Sequence, residues 1–595
     1  NQEQHSSGWV VRENFLFWGT TFAFILAIGI GAFLSMVIQT FSHSIRLLKL
    51  GRVLFELTTF VGSAKRLFSA VLFLSIISYF ELPSVAGLLV FLFWAVVVTS
   101  EPLGIPGFIE RLIDSMRHGN FIIGRVWRVI GANIYQIELS TAVEKNDEKL
   151  LEVTQGAETF LCIPLKTFPL KDKRILNAIA ISNQTTSELF PINDPGTVKV
   201  IDIAQIPESV KGTKIFTERK KLLGIVEDNS DIEQLKFKLL SDQSLQEGYL
   251  VKVFIGGEPI VYQIVNAITR SNSYEGDEDR FVIVVAQQVG RWDNQTSRFE
   301  SIGWVADPGS PVFYETGVPI SELNAIGETK KVVGKLPNSE YPIHVEINDV
   351  VTHHTAILGI TGSGKTFLAF ELIRKMVGSG IKVLIFDISA DYARDLGDLS
   401  PQRLTTTGEI TPFLNNPEHK IAVAEFQPTS SETIVKATAI SVRHVLDWAK
   451  YNLTSQQGEN IKAKVCVVFE EAHSLIPEWN SVSIAGDKDE VNKISQAILQ
   501  GRKYGVGALV ITQRTANITK TILNQCNTIF ALQSFDQTGL EFLKNYIGDE
   551  HANALSALLN RQAVLFGKAS SSRRPVIVRL NDVEMSNPAD EEIED

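Results

Sequence analysis

Cysteine is scarce. There are three in 595 residues, Cys162, Cys466 and Cys526, far apart and without a C-x-x-C pair. That spacing excludes a disulfide framework and a thiolate zinc site. The chain also lacks an excess of positive charge, with 56 Lys and Arg against 67 Asp and Glu and a net charge of −11. A generally basic nucleic-acid coat is thereby excluded, and any polyanion contact falls to local surfaces. Arg219-Lys220-Lys221 reads as a solvated loop, with a polyanion contact as the alternative. Outside one region there is no cluster of metal ligands or nucleophiles, so nuclease, protease or deacetylase chemistry would have to come from a partner.

The exception centres on Gly359–Thr366, GITGSGKT, which fills every position of the G-x-x-x-x-G-K-[ST] phosphate loop. The β-prone run Thr355–Leu358 leads in and a helical run, Phe367 to Val377, leads out. Gly359, Gly362 and Gly364 let successive backbone N–H groups, with those of Thr361 and Ser363, turn toward phosphates at a helix N-terminus. Lys365 would reach the β- and γ-phosphates, and the Thr366 hydroxyl would hold Mg²⁺. These features predict an NTP-hydrolysing motor binding ATP and Mg²⁺. A second apolar strand, Val465–Phe469, ends in Glu470-Glu471. Glu470 would hold Mg²⁺ through water, and Glu471 would orient and deprotonate the attacking water. Two further strands should end at the same edge. Lys382–Phe386 delivers Asp387, as a helper in the site or as a helix cap; Ala508–Thr512 delivers Gln513, placed to sense the γ-phosphate. Arg502, at the end of a helix before that last strand, is the candidate arginine finger reaching a neighbouring subunit, with Lys503, Arg514 and Arg443 as rivals.

Elsewhere the missing feature is charge. Phe15 to Phe41 has none over about 27 positions, enough to span a bilayer, and Trp9, Trp18 and Phe41 lie near its ends. Leu67 to Thr99 is a second apolar stretch, broken by Glu81-Leu82-Pro83. The loop between them carries Arg46, Lys49, Arg52, Lys65 and Arg66 against Glu56, which marks it as cytoplasmic. An ATP-using motor is cytoplasmic too, so the second stretch should be a hairpin, either two spans or re-entrant. The expected fold class is α/β: a RecA-like P-loop ATPase domain, with a parallel sheet and helices on both faces, preceded by a small β-barrel and N-terminal transmembrane helices. The expected domains are a membrane anchor at 1–118 (span about 15–41, hairpin about 67–99) and a β-barrel at 119–338, interrupted by an irregular insertion at about 141–245 with a helix near Asp231–Leu240. The ATPase follows at 339–586, and an acidic tail at 587–595.

In order along the chain, a β-barrel texture is followed by HHTAILGITGSGKT (353–366), VLIFDISADY (383–392), VVFEEAH (467–473), GRKYGVG (501–507), ITQR (511–514) and NQCNTIF (524–530). This order resembles the HerA family of hexameric ATPases, within the HerA/FtsK superfamily of DNA-pumping motors. The resemblance covers the motor, about 346–580, and extends to the barrel; the strands at 562–567 and 575–580 resemble the extension with which family members brace a neighbouring subunit. It implies a homohexamer hydrolysing ATP between subunits and threading double-stranded DNA. The N-terminal spans depart from the soluble HerA proteins that partner a nuclease in DNA-end processing. The expectation is therefore a multi-pass inner-membrane motor with a cytoplasmic ATPase domain, acting as a DNA translocase. The alternatives are a membrane-bound scaffold that recruits and regulates an effector, such as a nuclease in anti-phage defence, and a secretion-type coupling ATPase.

Overall fold

The computed structural model describes residues 122–582, apart from 131–132, 141–148, 156–157, 171–172, 182–195, 207, 275–276, 318–329, 390, 427–430, 457–460 and 479–486, together with 85–100, 73 and scattered positions between 18 and 37. The chain divides into two compact units, Asn1–Ile122 and Ile123–Asp595. In the first unit, Val85–Ser100 is a helix of 16 residues. At 1.5 Å per residue it is ~24 Å long, short of a ~30 Å hydrocarbon core. Among the described residues no helix is long and apolar enough to cross a membrane, which corrects the expectation of transmembrane helices as far as those residues go. Twelve of the 27 positions of the span expected at 15–41, the first arm of 67–99 apart from residue 73, and the tail at 587–595 lie outside the described residues.

The second unit opens with a closed six-stranded barrel, in the order Ile122–Ile130, Ile134–Leu139, Lys173–Ala180, Glu158–Leu170, Lys149–Gln155 and Thr197–Asp202. Its residues follow the period of two. Ile137, Leu151, Val153, Cys162, Ala178 and Val198 form one cluster, while the alternate set, including Leu150, Leu161, Ile163, Ile179 and Ile201, packs on Phe216, Leu222, Leu240 and Phe313 of the next module. That module is a seven-stranded antiparallel sheet running from Leu222–Val226 to Pro311–Glu315, whose two longest strands, Glu258–Tyr274 and Asp277–Asp293, pair along their length. The expected irregular insertion at 141–245 is therefore corrected: strands of both β modules occupy it. The helix expected near Asp231–Leu240 is instead the strand Gln234–Leu239. Gln-Leu-Lys-Phe-Lys-Leu alternates with the strand period, placing Leu235 and Phe237 in the core.

The ATPase sheet has eleven strands. In chain order they are β1 (Lys330–Lys335), β2 (Pro342–Glu346), β3 (Thr355–Leu358), β4 (Lys382–Phe386), β5 (Gln402–Leu404), β6 (Ile421–Ala424), β7 (Val465–Phe469), β8 (Val506–Thr512), β9 (Thr528–Leu532), β10 (Gln562–Gly567) and β11 (Val576–Leu580). Their spatial order is β2-β1-β11-β10-β9-β3-β8-β7-β4-β6-β5. The seven strands from β9 to β5 are parallel; β10, β11, β1 and β2 extend the sheet antiparallel within the same chain.

The parallel strands read as continuous apolar runs because both faces are covered. Leu384, Val467, Phe469, Ala508 and Val510 pack with Val442, Val445, Ile494 and Ile498 from the helices Ser431–Asn452 and Asp487–Gly501. Their neighbours Val383, Ile385, Cys466, Val468, Leu509 and Ile511 pack on the opposite face with Leu368, Leu372 and Met376 from the helix Lys365–Gly378. All seven parallel strands therefore end at one edge, and the chemistry-bearing residues follow four of those ends.

Candidate active site

β3 runs into the phosphate loop, and the helix begins at Lys365. Two glycines are required by geometry. Gly364 has φ +104°, a left-handed value that side chains rarely adopt. A Cβ on Gly359 would lie 2.8 Å from Leu532 Cβ and 2.9 Å from Ser363 Oγ. The loop is held from within: the Ser363 hydroxyl and Lys365 Nζ both donate to the carbonyl of Ile360, at 2.7 and 2.8 Å. Burial lowers the Lys365 pKa, opposed by the nearby carboxylates of Glu471 and Glu470. Thr361 and Thr366 are exposed on the loop.

Glu470 and Glu471 directly follow β7 but lie in different surroundings. Glu470 is buried and accepts a 2.5 Å hydrogen bond from the Tyr392 hydroxyl. Burial pushes its carboxyl up to about 7, against the Tyr392 bond. Glu471 sits at φ +46°, ψ +51°. For a residue with a Cβ this costs on the order of 1–3 kcal/mol, and such strain concentrates at functional sites. His473 Nδ1 lies 3.2 Å from Glu471 Oε2 and is the main cause holding that carboxyl below its ordinary range, with help from Lys365 and Arg514. Two adjacent acids whose surroundings drive them apart, one toward the neutral form and one toward the anion, suit different tasks.

Gln513, after β8, joins the phosphate loop to the acids. Its Oε1 accepts from the Thr361 hydroxyl at 2.5 Å, and its Nε2 donates to Glu471 Oε1 at 3.0 Å. Lys365, Glu470, Glu471, Gln513 and Thr361 are thus brought together, as their positions at strand ends predict. Asp387 takes the capping alternative: its carboxylate accepts from Ser389 N, Ser389 Oγ and Tyr392 N at 2.7–2.9 Å. It fixes the turn that carries Tyr392, and its charge helps to raise the pKa of Glu470.

Arg502 is not brought to the site of its own chain. It precedes β8, whose seven residues place it ~23 Å from Gln513 at the opposite edge. There it lies near His354, whose pKa it helps to lower. Among its rivals, Arg514 adjoins the site and acts on Glu471, while Arg443 pairs with Asp447 at 3.0 Å on a helix surface. Two contributors escaped the sequence reading, Tyr392 and His473. The signal for each was proximity to an acid, five residues after Asp387 and two after Glu471.

A phosphate loop on a doubly covered parallel sheet, with an acid pair and a polar residue on neighbouring strand ends, defines a P-loop ATPase. Residues 331–550 match the family described as Helicase HerA, central domain. The chain is 23% identical over 435 residues to the DNA double-strand break repair helicase HerA of Sulfurisphaera tokodaii, covering 56% of this chain and 86% of that protein. It is 24% identical over 457 residues to the same-named protein of Sulfolobus acidocaldarius, covering 58% and 90%. Among solved structures, VirB4 of Thermoanaerobacter pseudethanolicus aligns at a TM-score of 0.33 and 11% identity, over 43% of this chain and 98% of that one. Residues 331–550 therefore carry a HerA-type central domain, and the chain is similar to HerA ATPases. It binds ATP and hydrolyses it.

Proposed function

We propose that this ATPase is a membrane-anchored, homohexameric motor that moves double-stranded DNA. The observation that carries the reading is the link from Thr361 through Gln513 to Glu471. A γ-phosphate arriving at Thr361 and Lys365 competes for that link, so nucleotide state is transmitted to the acid and to the segment after β8. The matches to the two break-repair helicases extend well beyond the ATPase sheet into the β modules, which supports DNA as the substrate. Anchoring is supported by the uncharged run Phe15–Phe41 and by exposed apolar side chains in the first unit, among them Trp18, Phe22, Phe33, Leu89 and Phe93. The anchored protein would be multi-pass in the inner membrane, with its ATPase domain in the cytoplasm.

In this reading Lys365 holds the β- and γ-phosphates, Glu471 orients the attacking water, and Arg502 reaches the nucleotide of an adjacent subunit. Thr366 and Glu470 would hold Mg²⁺. Among the described residues no group of three His, Cys, Asp or Glu can hold a metal by itself. That suits Mg²⁺, which is held by one or two carboxylates together with phosphates and water. Bound there, the ion neutralises charge on the β- and γ-phosphates.

The test is the ATPase rate of the full chain in detergent, with and without linear double-stranded DNA, at low and physiological salt. Strong, salt-sensitive stimulation is expected. Glu471→Gln should retain ATP and lose about 10²- to 10⁴-fold in turnover. A rate indifferent to DNA would refute translocation and favour the scaffold that recruits an effector.

A further inference from the structure

The loop before β10 folds directly onto the phosphate loop. The Arg561 backbone N–H donates to the carbonyl of Ser363 at 3.2 Å. A Cβ on Gly364 would lie 3.4 Å from Arg561 Cγ and 3.6 Å from Asn560 Oδ1. The Arg561 side chain then crosses the first turn of the phosphate-loop helix. Its guanidinium carbon is 5.5 Å from the centre of the Phe367 ring, Nη2 donates to the carbonyl of Asn581, and Nη1 lies 3.3 Å from Asp582 Oδ1. Arg561 is held at φ +63°, so this arrangement persists against the preference of its own backbone.

Phe367 directly follows Thr366. It is 37% exposed, whereas Leu368, Ala369 and Phe370 beside it are buried, and Leu559 in the facing loop is 68% exposed. An aromatic ring in a helix's first turn has no part in holding phosphates. With the phosphates fixed along residues 360–366, however, the sugar and base of a nucleotide must leave over that turn. A phenyl ring beside a planar guanidinium is a surface on which a heteroaromatic base stacks. Asp582 tempers the charge of Arg561, which suits a stacking plane better than a further phosphate clamp.

We propose that Phe367 and Arg561, with Leu559 at the rim, form the seat of the nucleotide base, a reading that rests on the ATP site described above. The Arg561 carbonyl accepts from Leu580 N at 2.9 Å, so the seat is built onto β11. Occupancy by the base would thus bear on the antiparallel end of the sheet, while the phosphates act on the acid pair.

The experiment compares ATP with inorganic tripolyphosphate, which carries the phosphates and lacks the base. In the full chain, Arg561→Ala should raise KM for ATP about ten-fold and leave Ki for tripolyphosphate within about two-fold. Phe367→Leu keeps an apolar side chain at an exposed position and removes the ring; it should raise KM for ATP about five-fold, again without moving Ki. The Leu variant guards against Arg561→Ala failing to fold. Equal weakening of ATP and tripolyphosphate, or no change for ATP in Phe367→Leu, overturns the seat. Lys365→Ala separates the underlying reading: it should weaken ATP and tripolyphosphate together, and unchanged turnover in that variant would overturn the ATP site itself.

Discussion

His354 makes the phosphate-loop strand sensitive to acid, by an amount the structure sets. β3 and β8 come into register at Thr355 and Leu509, leaving the amide of Ala508 one step short of the ladder. The imidazole of His354 completes it: Nδ1 accepts from Ala508 N at 3.1 Å, and the residue is 2% exposed at φ +54°. Burial pushes its pKa down from 6.5 to about 4, with help from Arg502 and His353. A lowered histidine pKa means that below pH 6.5 the unfolded chain takes up a proton which the folded chain refuses. Stability is therefore full above pH 6.5 and falls as the pH drops toward 4, by a limit of about 3 kcal/mol and by about 2 kcal/mol at pH 5. Native-state hydrogen exchange of β8 peptides, corrected for intrinsic rate, reads this as about 30-fold less protection at pH 5 than at pH 7.5. His344 and His551 are buried and pushed down to about 4 as well, so wild type must be compared with a variant that lacks only this group. His354→Asn keeps an acceptor, tolerates the left-handed backbone and does not titrate. It should have the smaller pH dependence by about 2 kcal/mol. Identical pH dependence in the two proteins would refute the argument.

Two further substitutions separate chemistry from scaffold. Gln513→Ala cuts the link between Thr361 and Glu471 and should lower kcat about 10- to 100-fold with little change in ATP affinity; steady-state kinetics beside equilibrium binding decide, and a wild-type kcat would remove Gln513 from the machinery. Gly507→Ala would place a Cβ 1.7 Å from the carbonyl oxygen of Val351, in the helix Ile347–Thr352 that lies against β8. A cost of about 3 kcal/mol or loss of folded protein is expected, and an unchanged melting temperature would show that the approach is looser.

Much of the site was legible because its parts follow strand ends. An apolar strand covered on both faces announces itself by a run such as Val465–Phe469, and whatever follows it reaches the common edge. Glu470, Glu471 and Gln513 were found in this way. The β modules were less legible. Their strands are separated by long polar stretches such as 182–195, and a short alternating strand such as Gln234–Leu239, with two lysines, also fits a helix until its pairing with both Leu222–Val226 and the distant Asp277–Asp293 is known. Arg561 shows the other limit. Its importance comes from touching Gly364 and Phe367 across nearly two hundred positions of sequence, a contact that no local pattern encodes.

That distance bears on how the motor is wired. Tyr392, His473 and Gln513 fix the acids from three different strand ends, and each bond is short and local. Arg561 and Asn581 instead tie the phosphate loop to the antiparallel end of the sheet, where β11 meets β1 and the chain leads back toward the β modules. Nucleotide thus meets two sets of contacts. The phosphates act on the parallel edge through Gln513, and the region beside Phe367 acts on the antiparallel edge through Arg561. Breaking one set at a time should therefore give different failures: turnover is lost when Gln513 is truncated, and affinity for the whole nucleotide is lost when Arg561 is. Because the two residues share no contact among the described residues, their effects on ATP binding and hydrolysis should add within about 0.5 kcal/mol in the double variant. A larger coupling would mean that the two edges of the sheet respond as one body.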